Sequence, residues 1–423
     1  MSTGLTIRPD PGASAPLAST ALAKPHIEAL DGLRFLAAFF VAAAHYSAFL
    51  LTDPKQPNAF AEIILSMAGL GMTLFFVLSG FVIHYNYREI ISEPGGFKIF
   101  AIARFSRLYP LYIVLFAVEF TLTARSSAGS CGYAGYPAGL AFALPYYVTL
   151  TQDWVFGVIC KNSLIYQYGH VAAVSWSISA EAFFYFVYAV VVPWLTSQKP
   201  RALLAGAALA YACLFLFVWL CFVYSASIDR AALAAFGPVA TDQNGYQDSL
   251  LRWLYYFNPL VQMVHFFGGV TAAQYYLVKS KQPNAPRTAL SFWLAPISVA
   301  LVLGAHLYLY GSVAYHNGFI GRNASSFYGP LVVVMIYLIA RFHSDALSRI
   351  LSFSIVVKLG EASYSLYLLH AFFHAAMPSY VHALALNRWI VWSMYLIFLL
   401  CVSRTSYVFF ERPARRILRN ALT

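Results

Sequence analysis

In the stretch LDGLRFLAAFFVAAAHY, Arg34 and His45 stand eleven residues apart. At 100° per residue that is close to three whole helical turns, so both fall on one stripe, about 16 Å apart along the axis. A second stretch, Ser175-Trp176-Ser177-Ile178-Ser179-Ala180-Glu181, sets Glu181 about two turns inside the end of another apolar segment, at a depth similar to that of His45. A carboxylate beside an imidazole holds its tautomer and raises its basicity, which is proton-transfer chemistry. The alternatives are a core histidine bonded to a neighbouring helix and a Glu–Arg pair kept for structure. Arg104 and Arg107, at i and i+3, share a face if a helix starts there, and their planar donors suit phosphate oxygens. The same pair would serve equally as a positive anchor at an inner membrane surface. In Ser363-Tyr364-Ser365-Leu366-Tyr367-Leu368-Leu369-His370, Tyr367 and His370 share a face. Glu119 is a lone buried acid that reads as structural, Ser79-Gly80 reads as a close helix approach, and His84 reads as interfacial. No Cys or His spacing suits a metal.

The elements that must hold these residues are membrane helices. Of 423 residues, 60% are hydrophobic and 10% charged, too little charge for a water-facing surface. Secreted small-domain, collagen-like and disordered chains are excluded on the same ground. Apolar stretches of span length recur at 33–51, 65–86, 106–124, 174–195, 202–224, 257–278, 290–311, 325–341, 357–380 and 388–410. The piece 138–151 is short and holds Pro145, so it reads as re-entrant or interfacial. With ten spans and the amino terminus inside, nineteen Lys and Arg fall on cytoplasmic pieces and seven on outer ones, with Arg404 inside the last span. That split favours both termini inside. It also accounts for the net charge of +11 without nucleic-acid binding. The fold class expected is therefore all-α: a polytopic bundle of about ten transmembrane helices. Residues 1–26, rich in Pro, Ala and Ser, read as a flexible cytoplasmic tail and not a signal peptide. Cys131 and Cys160 both fall in the long outer segment 125–173, either as a disulfide or as two free thiols.

These stretches, taken together, resemble the acyltransferase-3 family of bacterial membrane proteins. The resemblance is carried by LDGLR with His45 eleven residues after its arginine, LFFVLSGFVI, Arg104–Arg107 before LYPLY, SWSISAE, SYSLYLLH and Glu411-Arg412-Pro413, in the family's order. It implies a transmembrane acyltransferase domain over 27–413, followed by a basic cytoplasmic tail at 414–423. It implies an inner-membrane enzyme that moves an acyl group, often acetyl, from cytoplasmic acyl-coenzyme A to a hydroxyl, with no metal. Acceptors across such a family include lipopolysaccharide and exopolysaccharide sugars, peptidoglycan, Nod factors and macrolides. The expected acceptor is a glycan or lipid-linked glycan on the outer side, with a small molecule such as a macrolide as the alternative. The family's span-one Arg and His fall on Arg34 and His45, and its Arg-x-x-Arg on Arg104 and Arg107. Where the family often has two adjacent acids, this chain has Glu181-Ala182, which puts any two-carboxylate mechanism in doubt. On this reading His45 is the base and Glu181 orients it. Tyr367 or His370 donates to the oxyanion, and Arg34, Arg104 and Arg107 hold the coenzyme A donor. A proton-coupled transporter or flippase using the same His and Glu is the competing class.

Overall fold

The computed structural model describes residues 25–51, 58–131, 136–166, 169–244, 246–280, 289–311, 319–342, 346–374 and 387–422. All but the last two residues of the expected 1–26 tail lie outside them. The chain is built almost wholly of helix. In order these are α1 (Glu28–Leu50), α2 (Ala59–Ser92), α3 (Gly96–Cys131), α4 (Tyr136–Thr149), α5 (His170–Val174), α6 (Trp176–Ser197), α7 (Pro200–Val223), α8 (Ser225–Phe236), α9 (Leu250–Arg252), α10 (Pro259–Ser280) and α11 (Ala289–Gly311). They continue as α12 (Phe319–Arg341), α13 (Ala346–Leu351), α14 (Ser354–Glu361), α15 (Ser363–His374), α16 (Arg388–Ser406) and α17 (Arg412–Leu422). A two-residue antiparallel hairpin, β1 (Val158–Ile159) with β2 (Asn162–Ser163), lies in the segment before α5.

Helix dominates because backbone polar groups have no water to bond in a bilayer and must be satisfied within their own segment. The ends are marked by ordinary caps. Asn58 accepts from the amides of Phe60 and Ala61, Asn387 accepts from Trp389, and Pro200 opens α7. Seven helices among the described residues are long and apolar enough to cross a membrane. Each of the ten expected segments overlaps a helix, but α10, α12 and α15 fall outside the seven. The Ser326–Arg341 part of α12 is a shorter apolar helix. α10 buries Gln262, His265, Thr271 and Gln274, so it is a polar helix wrapped by others. The expected 357–380 span is interrupted at Ala362, between α14 and α15. Large apolar side chains stand exposed along the outer helices, among them Phe186, Val190 and Trp194 on α6, Leu209 and Trp219 on α7, Leu301 on α11 and Ile397 on α16. Such a surface is stable against lipid tails and not against water.

Two close approaches fix the middle of the bundle. A Cβ on Gly80 of α2 would lie 1.9 Å from the Phe266 carbonyl oxygen of α10, and one on Gly269 of α10 would lie 2.0 Å from the Val77 oxygen of α2. The backbones touch, as small residues allow between membrane helices. The amino-terminal end of α1 is seated in the same way. A Cβ on Gly32 would meet the Leu351 oxygen at 2.3 Å, and one on Gly360 would meet the Asp31 oxygen at 2.1 Å. The glycine of LDGLR thus serves packing. The main apolar core joins α1, α2, α3, α6, α15 and α16, with Tyr46, Phe76, Tyr112, Tyr147, Phe184 and Tyr188 at its centre. Cys160 is disulfide-bonded, and Cys213, Cys221 and Cys401 are free; the Cys131 side chain lies outside the described residues.

Candidate active site

α1 runs unbroken from Glu28 to Leu50, as the spacing of Arg34 and His45 required. His45 points its Nδ1 at the Val41 carbonyl oxygen, 2.8 Å away. A carbonyl only accepts, so Nδ1 carries the hydrogen and Nε2 is left as the basic lone pair. The residue as a whole keeps an exposed surface. His370 of α15 lies beside it, ring centroids 5.0 Å apart. Its Nδ1 donates to the Tyr367 carbonyl oxygen, and its Nε2, in a residue 1% exposed, has no protein partner. Two imidazoles therefore meet in the same tautomer. Tyr46 holds α15 in place by donating to the His370 carbonyl oxygen at 2.7 Å. On the other side His374 stacks near His170 of α5, centroids 4.8 Å apart. Glu119 explains where α5 begins: its two carboxylate oxygens each accept a backbone amide, from His170 and Val171, at 2.7 Å. It is a helix cap supplied from α3, in keeping with a structural acid. Gly169, at φ +98°, lies against it where a Cβ would be 2.6 Å from the Glu119 Cδ.

Tyr367 is not poised as a donor. Its hydroxyl donates to the Val174 carbonyl oxygen and accepts from Ser177 Oγ, both at 2.7 Å, which ties α15 to the α5–α6 corner. Glu181 is not bonded to His45 either. It accepts from Ser79 Oγ and from the Tyr185 hydroxyl, each at 2.5 Å. Ser79 of the Ser79-Gly80 pair thus has a polar role beside the packing role of its neighbour. The remaining neighbours of Glu181 are the arginines. α3 starts at Gly96, so Arg104 and Arg107 lie two to three turns inside a helix and not in the loop expected for them. Arg104 is buried, donates from Nη2 to the Tyr87 hydroxyl at 2.6 Å, and lies 4.5 Å from the Tyr87 ring centre and 5.8 Å from that of Tyr185. Arg107 is partly buried, within electrostatic reach of Glu181 and Glu411. Glu411 is buried at the end of a π-helical turn, Tyr407–Glu411, and accepts from Ser365 Oγ at 2.6 Å. Two acids and two arginines thus form one network inside the bundle. Arg34 stands apart from it, with its Nη1 3.6 Å from the Asp31 carboxylate near the amino-terminal end of α1.

The site has two parts, then: a pair of imidazoles at the α1–α15 contact, and an Arg–Glu cluster on α3, α6 and the 407–411 turn. Sequence reasoning found the histidines and arginines but missed Tyr87, Tyr185 and the role of Glu411. Tyr185 was within reach of a simple rule, because it lies at i+4 from Glu181. His84, expected at the interface, is buried between the Tyr188 hydroxyl at 3.0 Å and Gln274 Oε1 at 2.9 Å.

A family model described as an acyltransferase domain, Acyl_transf_3, matches residues 27–408. The chain is 25% identical over 353 residues to acyltransferase MdmB of Streptomyces mycarofaciens, covering 81% of this chain and 78% of that one. It is 38% identical over 93 residues to protein 2 in the picA locus of Rhizobium radiobacter, which is 21% of this chain and 41% of that protein's length. No solved structure matches it.

Proposed function

We propose that this chain, which belongs to the acyltransferase-3 family and is an acyl-transferring membrane enzyme, transfers acetyl from cytoplasmic acetyl-coenzyme A to a hydroxyl of a glycan or lipid-linked glycan. The acceptor meets the outer side of the cell inner membrane, both termini are cytoplasmic, and ten helices span. The observation that carries the reading is His45: an exposed imidazole whose Nδ1 is committed to Val41 and whose Nε2 is free to take a proton. The acceptor hydroxyl gives its proton to Nε2 as its oxygen attacks the thioester carbonyl. The C–O bond forms, the C–S bond breaks, and the proton passes from Nε2 to the departing thiolate. No net proton is released. His370, buried beside the base with its ring centre 5.0 Å away, packs against the imidazole of His45 and fixes its orientation.

Donor binding falls to the Arg–Glu cluster. Arg107 faces the coenzyme A chain. Arg104, held by Tyr87, keeps α2 and α3 aligned around it, and Glu181 and Glu411 hold the pair's charge in place. Arg34 guides the donor at the inner end of α1. Tyr367 contributes by bracing α15 and not by donating to the oxyanion. Surface glycans from wild-type and deletion strains, compared by mass spectrometry, test the reading. The expected result is one acyl group fewer on a sugar of the deletion strain, restored by wild type and not by His45→Asn. Identical glycans, together with no loss of label from acetyl-coenzyme A by the purified protein, would overturn it.

A further inference from the structure

Arg252 ends α9 at the edge of the outer segment. It is half-buried, with its guanidinium carbon 4.9 Å from the Phe257 ring centre and 5.8 Å from those of Tyr166 and Tyr246. It donates to Gln247 Oε1, and among the described residues it forms no ion pair with a carboxylate. The acids around it are committed elsewhere. Asp248, four residues before it, accepts from both the amide and the hydroxyl of Ser163, at 2.7 and 2.6 Å. Glu119 caps α5. Asp153 is wholly buried near Trp253, and that burial pushes its carboxyl well above the usual carboxylate range, which disfavours its charged form. A guanidinium whose planar fork is paired with no carboxylate is well matched by a planar anion.

Arg252 also lies within electrostatic reach of His45. Its ring neighbour Tyr166 is within reach of Tyr367, whose ring lies 5.5 Å from that of His370. Between them lie packed aromatic rings, with Trp176 4.9 Å from Tyr256 and 5.1 Å from Phe257, and Tyr166 5.9 Å from Phe257; Tyr166 and Tyr256 keep partial exposure. Aromatic faces suit the apolar faces of a sugar ring, and a fixed cation beside them suits an acid on that ring.

We infer that the acceptor carries an anionic group, a carboxylate or a phosphate ester, near its reacting hydroxyl, and that Arg252 binds that group. The inference rests on His45 being where the acceptor reacts. It makes Arg252 the residue that separates acidic from neutral acceptors.

The test uses the full chain in lipid nanodiscs and reads binding by tryptophan fluorescence, which needs no turnover. The probes are glucuronate, galacturonate, glucose 6-phosphate and galactose 6-phosphate, against glucose and galactose. Wild type is expected to bind at least one acidic sugar on the order of ten- to a hundredfold more tightly than its neutral counterpart. Preference for the uronates or for the phosphates says which anion the acceptor carries. Arg252→Gln is expected to bring the acid-to-neutral ratio close to one, and Arg252→Lys, which keeps the charge and loses the fork, to hold an intermediate ratio. Equal binding of acidic and neutral sugars by wild type, or a ratio that survives Arg252→Gln, overturns the inference. Label transfer from acetyl-coenzyme A is scored separately. Transfer with no acid preference sinks this inference alone, and acid preference with no transfer to any hydroxyl sinks the acyl-transfer reading alone.

Discussion

Replacing His45 by two different amides separates a base from a structural bond. The ring uses Nδ1 on the Val41 oxygen and leaves Nε2 for chemistry. Asn places its amide nitrogen near the Nδ1 position, so His45→Asn keeps the helix bond and deletes only the basic nitrogen. His45→Gln places an amide near Nε2 and gives up the bond to Val41. If the bond is what matters, Asn is tolerated and Gln is not. If proton transfer matters, both fail. Loss of a positioned general base costs about 10²–10⁴ in rate, or about 2.7–5.4 kcal/mol at 1.36 kcal/mol per decade. His370 is not expected to substitute: its ring centre is 5.0 Å away, and a misplacement of about 1 Å can already cost about 10²-fold. The assay is single-turnover transfer of label from acetyl-coenzyme A in nanodiscs, with donor affinity measured separately and expected to be unchanged. The wild-type rate should fall on the acid side, because the base works only as neutral imidazole. His45→Asn turning over within a few-fold of wild type, in folded protein, would remove His45 from proton transfer.

Four further outcomes follow from particular contacts. Glu119→Ala strips two amides of their acceptor and is expected to destabilise the protein by about 1–3 kcal/mol per unsatisfied group, while Glu119→Gln, which keeps one acceptor oxygen, costs less; denaturation in detergent measures both, and equal effects would refute the capping account. Burial raises the Asp153 carboxyl above its unfolded value, and neither oxygen has a partner, so the folded state favours the protonated form more than the unfolded chain does. Its contribution is therefore fully present below the unfolded carboxyl value of about 3.9 and is lost as pH rises through the folded value. Asp153→Asn should be the more stable form at neutral pH, with the gap closing toward about pH 4, and a melting-temperature series across pH checks the sign. Gly80→Ala drives a Cβ into the Phe266 carbonyl and should cost about 1–3 kcal/mol, whereas Gly206→Ala, with open space around it, should be neutral; equal melting temperatures would deny the backbone contact. Finally, in intact cells an impermeant maleimide should label Gln243→Cys but reach Gln198→Cys only after permeabilisation, and the reverse pattern would invert the topology.

Hydropathy made the helices legible because lipid exposure demands long apolar runs, and these chain segments have little else. It misjudged where they begin. α3 starts ten residues before the expected span, since Lys98, Arg104 and Arg107 lower the local average while the helix continues regardless. The stripe of Arg34 and His45 was legible because one uninterrupted helix turns spacing into angle. The partner of Glu181 was not: depth in a membrane gives height but no direction around the helix axis, and the carboxylate faces Ser79 and Tyr185. Glu411 was hidden for another reason. A π-helical turn shifts the register of everything after it, so a count at 100° per residue assigns the wrong face.

The glycine seat at the amino-terminal end of α1 acts on the far end as the short arm of a lever. Gly32 rests on the Leu351 carbonyl and Asp31 on Gly360, so the helix is pinned there by backbone and has no side chain to compress. His45 lies thirteen residues further on, about 20 Å at 1.5 Å per residue. A tilt of about 3° about that pin swings the imidazole by about 1 Å, the scale on which alignment for reaction is won or lost. A methyl group added at Gly32 would therefore be felt at the other end of the helix, as an imidazole that is present and aimed at the wrong place.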